Sequence, residues 1–131
     1  MSALMAVRSG ELRRSHGVEA VHLHRWYKAG LIRPIRPAGS HRSGGAIWPD
    51  WTWRMVALIR GGLPNNHYPT LRLVAEVLAE CPDVPWVVID EAGVAHACYD
   101  AGEVVAVHHR QTAISVVVAI PTLEEACALC R

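Results

Sequence analysis

SHGVEAVHLHRWYKAGLIRPIRPAGSHR, residues 15–42, holds the pattern that decides the fold of the first half of the chain. Gly17 stops a short helix over 9–16, which Ser9 caps and Glu11 favours from its first turn. A second helix is expected over 19–29, with Val21, Leu23 and Trp26 burying one face and Gly30 at the position that closes helices with left-handed backbone. Two short helices with a tight turn between them make a helix-turn-helix. From Leu31 to Pro37 the prolines enforce extended backbone, and Gly39, Ser40, Gly44 and Gly45 lead into Ile47 and Trp48, which reads as a small hairpin.

Moving outward, Asp50 is placed to cap a third helix in which Trp51, Met55, Leu58 and Ile59 recur at helical spacing, ending at Gly61-Gly62. Thr70 is placed to cap a fourth over 71–80, with Leu71, Val74, Ala75 and Leu78 as its apolar stripe. Cys81-Pro82-Asp83-Val84-Pro85 breaks it and is expected to separate a domain over 1–80 from a second module over 83–131. In that module Trp86–Asp90 and Val94–Tyr99 read as strands around a Glu91-Ala92-Gly93 turn. Asp100 and Glu103 have the spacing of a capping box, which favours helix over 101–110 despite its valines. Thr112–Ile120 reads as a buried strand, and Pro121-Thr122 opens a last helix through Cys130. The expected class is α+β, with a helix-turn-helix half followed by a β-β-α-β-α module.

Charge divides along the same line. Residues 1–72 hold 11 Lys/Arg against 3 Asp/Glu, a balance of +8, whereas residues 73–131 hold 2 against 9, a balance of −7. A basic module joined to an acidic one points to a polyanion as the partner of the first. The chain is 51% hydrophobic, enough for a packed core, and its longest apolar stretch, Ala113–Ile120, is interrupted by Ser115 and far short of a bilayer span. With no secretory pattern at the N-terminus, the expected compartment is the cytoplasm, where Cys81, Cys98, Cys127 and Cys130 stay reduced.

The run Glu11-Leu12, Gly17-Val18, Leu23, Arg25-Trp26, Lys28-Ala29-Gly30, Ile35-Arg36 and Gly39-Ser40-His41-Arg42 resembles the MerR family of winged helix-turn-helix proteins, in particular its small BldC-like and excisionase-like members. The resemblance covers about half the chain, with Ser40 in place of the second wing glycine and Ser43–Ala46 where an aromatic usually follows. Trp48 then serves as that aromatic in a longer wing. The resemblance implies a DNA-binding function in which the second helix lies in the major groove. His22, His24 and Arg25 are the candidates for base edges, with Arg25 foremost because a guanidinium fits guanine bidentately. Glu19 is better read as stabilising the helix dipole. Lys28, Arg33, Arg36, His41 and Arg42 are the candidates for phosphate or minor-groove contact. Trp26 and Trp51, among apolar residues at helical spacing, are expected in the core.

Cys127-x-x-Cys130 lacks a second close ligand pair, so no metal or other cofactor is expected. Without a phosphate-binding glycine loop, a nucleophile motif or carboxylates paired in an evident cleft, no enzyme is expected either. The expectation is a sequence-specific regulator of transcription acting on double-stranded DNA. The acidic module would serve self-association, cooperative assembly on DNA or capture of a protein partner. An excisionase-type DNA-bending factor and an antitoxin-like adaptor are the alternatives.

Overall fold

The computed structural model describes residues 6–8, 11–12, 17–35, 46–61, 68–109 and 116–129. Among them the elements run β1 (Ala6–Arg8), α1 (Ala20–Lys28), β2 (Ile47–Pro49), α2 (Thr52–Gly61), α3 (Tyr68–Glu80), β3 (Trp86–Ile89), β4 (Ala95–Cys98), α4 (Ala101–His109), β5 (Val116–Ala119) and α5 (Leu123–Leu129). The chain is α+β, with β1 and β2 forming an antiparallel pair and β4-β3-β5 a three-stranded antiparallel sheet.

Local chemistry accounts for the second half of this order. The Asp90 carboxylate accepts the N–H groups of Ala92 and Val94, both at 2.9 Å, and Gly93 takes φ +82° to turn β3 into β4. Asp100 accepts the Glu103 N–H at 2.8 Å, which starts α4 and overrides the strand preference of Val104, Val105 and Val107. Thr122 and Glu125 cap α5 reciprocally, each side chain accepting the other's N–H at 3.1 and 3.2 Å.

The first half departs from expectation in three places. Ile47–Pro49 pairs with Ala6–Arg8, a strand that the pattern does not suggest, while of the hairpin expected with 31–37 the described residues include the Ile35 N–H bonded to the Ile47 carbonyl at 2.7 Å. Helix α3 begins at Tyr68, so Thr70 lies inside it, and Pro69 occupies the first turn, where its missing N–H is not needed. Ahead of α2 the backbone carbonyl of Asp50 accepts from Trp53, and the helix starts at Thr52. Of the helix expected over 9–16, Glu11 and Leu12 are helical and the remainder lies outside the described residues, as do residues 36–45 of the expected hairpin and wing.

One buried cluster joins Val7, Leu23, Trp26, Trp48, Trp51, Met55 and Leu71 to Val84, Val87, Val118 and Ile120. It runs across the Cys81–Pro85 segment, where the sequence pattern places a boundary between modules. Arg54, on α2 and 3% exposed, adds hydrogen bonds across the same segment. Its Nε donates to the Pro121 carbonyl at 2.7 Å, Nη1 to Pro82 at 2.7 Å, and Nη2 to Val84 at 2.6 Å and Ile120 at 3.4 Å. Burial pushes this guanidinium below its ordinary pKa, while Asp83, Glu125 and Asp50 push it back up.

Two measurements check this framework. Arg54→Met strands carbonyls on two segments and should cost about 3 kcal/mol in urea unfolding, with Arg54→Lys restoring only a fraction because one ammonium cannot span both. Asp90 is held below the usual carboxylate range by His96, whose Nε2 lies 2.8 Å from Oδ2, and by the Val94 and Ala92 N–H groups. Because the folded pKa lies below the unfolded one, this stabilisation is complete above the unfolded value and is lost as pH falls through the folded value. Thermal melts through the carboxylate range should therefore show a shallower acid decline for Asp90→Asn than for the parent chain.

Candidate nucleic-acid interface

Helix α1 divides cleanly into two faces. Leu23 and Trp26, three apart, are buried at 5% and 7% exposure, which anchors the helix in the core. On the opposite side Val21, His24, Arg25 and Lys28 follow the i, i+3, i+4, i+7 spacing of a single stripe, and all are exposed. Val21, expected to be buried, is 54% exposed, because a nine-residue helix with Leu23 and Trp26 inward must turn it out. The stripe is thus cationic and imidazole-bearing, with one apolar side chain at its N-terminal end.

Both ends of the helix are fixed. At the start, the Glu19 N–H donates to His22 Nδ1 at 3.4 Å, and the His22 ring stacks on Trp26 with centroids 5.8 Å apart and planes 18° apart. At the far end Gly30 takes φ +80°, its N–H bonding the Tyr27 carbonyl at 3.1 Å, and the Leu31 N–H bonds the Trp26 carbonyl at 2.9 Å. This is the Schellman closure, in which the left-handed residue satisfies carbonyls that the helix leaves open. Arg72, from α3, donates through Nε to the Ala29 carbonyl at 3.0 Å and lays its side-chain stem over Gly30. Tyr27 packs edge-on against Trp48 of β2, with centroids 6.4 Å apart and planes at 72°.

The structure therefore brings His24, Arg25 and Lys28 together on one exposed stripe. His22, expected among the base-reading residues, is half-buried and occupied with its own helix start and Trp26. Arg33 stands apart from the stripe, 3.9 Å from Glu76 of α3, with both side chains about half exposed. Arg36, His41 and Arg42 lie outside the described residues. Three participants do not follow from the sequence pattern. Val21 has the residue type of a core position, Tyr27 carries no motif although helical phase places it beside the stripe, and Arg72 contributes to the pattern only as charge. No signal in the sequence announces the Arg72 contact, which joins residues 43 apart.

No protein-family model, no curated protein and no solved structure matches the chain. Among the described residues no helix is long and apolar enough to cross a membrane, and no group of three His, Cys, Asp or Glu could hold a metal ion.

The closure at Gly30 yields a direct check. Gly30→Ala places a Cβ on left-handed backbone and should destabilise the chain by roughly 1–2 kcal/mol in thermal or urea unfolding. The neighbouring Arg72 stem, at 3.6–3.7 Å from that Cβ, is in ordinary contact and adds little.

Proposed function

We propose that this chain is a sequence-specific double-stranded DNA-binding regulator of transcription, built on a MerR-like winged helix-turn-helix and acting in the cytoplasm. The observation that carries this reading is the stripe of Val21, His24, Arg25 and Lys28, presented on a helix whose other face is locked into the core. A helix so held can enter the major groove as a rigid body, with its outward side chains against base edges. Gly17, at φ +59° between the helical residues Glu11-Leu12 and α1, supports this reading, because left-handed backbone suits a tight turn between two helices.

Roles follow from chemistry. Arg25 offers a planar fork suited to the O6 and N7 acceptors of guanine, and His24 offers a single ring nitrogen to a base or phosphate. Val21, exposed and apolar, suits the methyl group of thymine. Lys28, in the last turn, is favoured there by the helix dipole and serves a phosphate as a point charge. Arg33 reaches a phosphate by exchanging the long contact to Glu76, and Arg36, His41 and Arg42 would approach the backbone or minor groove from the wing.

The test begins with selection of a preferred site from random duplexes by the full chain, followed by anisotropy titrations at several salt concentrations. Arg25→Ala should lose about 1–3 kcal/mol on that site and flatten discrimination at one base position. Lys28→Ala should weaken selected and scrambled duplexes alike and reduce the magnitude of the log K against log salt slope by about 0.9. A chain that selects no sequence and binds every duplex without salt dependence would overturn the reading.

A further inference from the structure

The sheet β4-β3-β5 ends on a strand built of apolar residues. β5 is Val-Val-Val-Ala, and Val116 and Val117 remain 46% and 48% exposed although they belong to a sheet. Helix α4 packs on β4 and β3, where Val88, Cys98 and Val107 form a small buried cluster, and Val116, Val117 and Ala119 at this edge stay exposed. Protein sheets usually guard an edge with lysine, proline or a bulge, because its unpaired N–H and C=O groups accept another strand. Val116–Ala119 carries none of these, and among the described residues no element pairs with its outer side.

The direction of the unpaired groups follows from the register. Ile120 donates to the Pro85 carbonyl at 3.0 Å, and Trp86↔Ala119, Val87↔Val118 and Val88↔Val117 continue the antiparallel pairing. In such a ladder successive residues alternate between facing the partner and facing away. Val116, Val118 and Ile120 therefore turn their backbone groups to β3, and Val117 and Ala119 turn theirs outward. On the other side of β3, the Asp90 N–H bonds the Val94 carbonyl at 2.9 Å, which gives the complementary phase. The next outward position, Pro121, has no N–H, and Arg54 holds its carbonyl, so the open ladder stops at Ala119.

We infer that β5 is a self-pairing edge, through which two copies of the chain join antiparallel into one continuous six-stranded sheet. A two-fold axis perpendicular to the sheet between the two Val118 residues sets Val117 of each copy opposite Ala119 of the other. Every outward N–H and C=O of Val117 and Ala119 is then bonded, with neither end of the ladder called on to pass Pro121. A second copy fits because the edge complements itself in its side chains as well. The exposed valine meets a methyl group on the α4 side of the sheet, large against small, with no charge brought to the join. This pairing stands independently of DNA binding.

Sedimentation equilibrium of the full chain without DNA, over a range of concentrations, should show a reversible dimer. Ala119→Pro removes an outward N–H that β3 does not use, and Val117→Lys places a charge on the edge. Each should raise the dimer dissociation constant at least tenfold, while circular dichroism and thermal melts report a folded monomer. A second experiment does not depend on those variants folding. A chain carrying both Val117→Cys and Ala119→Cys should, on mild oxidation, give a covalent dimer whose linked peptide joins position 117 of one copy to position 119 of the other. A parent chain that stays monomeric throughout, a dimer indifferent to both edge variants, or cross-links confined to other cysteines would each overturn the inference.

Discussion

The Arg54 guanidinium is the contact on which the arrangement of the molecule rests. The segment joining α3 to β3 and the one joining β5 to α5 are both partly buried and lack regular secondary structure, so their inward carbonyls need donors from elsewhere. A single planar side chain with several fixed N–H groups supplies them to Pro82, Val84, Ile120 and Pro121 together. Lysine or glutamine could not span that set. The cost of burying a cation is offset by these carbonyls and by Asp83, Glu125 and Asp50 nearby, which act on it favourably. Since one segment precedes the central strand of the sheet and the other follows its edge strand, Arg54 fixes the sheet against α2 at both points.

Helix α3 extends that frame to the proposed DNA-reading surface. Leu71, Val74, Ala75 and Leu78 are buried in the shared core, while Arg72 and Glu76 on its outer side reach the end of α1 and Arg33. The stripe on α1 is thus held by Leu23 and Trp26 from beneath and by Arg72 at its C-terminal end. Rigidity of this kind suits groove recognition, because side chains on a fixed helix lose less freedom when they bind. The charge partition of the sequence takes on a different meaning in this light. Arg54 is withdrawn into the core and Arg72 is engaged on a helix end, so the +8 of the first 72 residues overstates what the surface offers to a polyanion.

Elements whose causes lie within a few residues are legible in the sequence. The β3–β4 turn follows from Asp90 and Gly93, α4 from Asp100 and Glu103, and the core face of α2 from the spacing of Met55, Leu58 and Ile59. What escapes depends on distant partners or on phase within a short element. Three residues, Ala6–Arg8, are too few to show alternation, and their pairing with Ile47–Pro49 spans about forty positions. A buried arginine is indistinguishable by type from a surface one, so in the sequence Arg54 counts only as charge. Val21 misleads for the converse reason, as an apolar residue that the helical phase set by Leu23 and Trp26 turns to solvent. Of the candidate site, His24, Arg25 and Lys28 can be placed from helical spacing alone, whereas the diversion of His22 to the Glu19 N–H and the Trp26 ring cannot.

The proposed DNA surface and the proposed self-pairing edge constrain each other through symmetry. A two-fold axis perpendicular to the sheet relates the whole of one copy to the other, including the α1 stripes, because α1 and β5 are tied through one core. Two stripes related in that way present opposite polarities to a duplex whose own dyad coincides with the axis, so the matching target is an inverted repeat. Head-to-tail assembly, in contrast, repeats one interface by translation and matches direct repeats. The carbonyls held by Arg54 lie at the end of β5, so the residue that fixes the sheet to the helices also bounds the edge on which this symmetry depends. Loosening it would unsettle both the fold and the relation between the two reading heads.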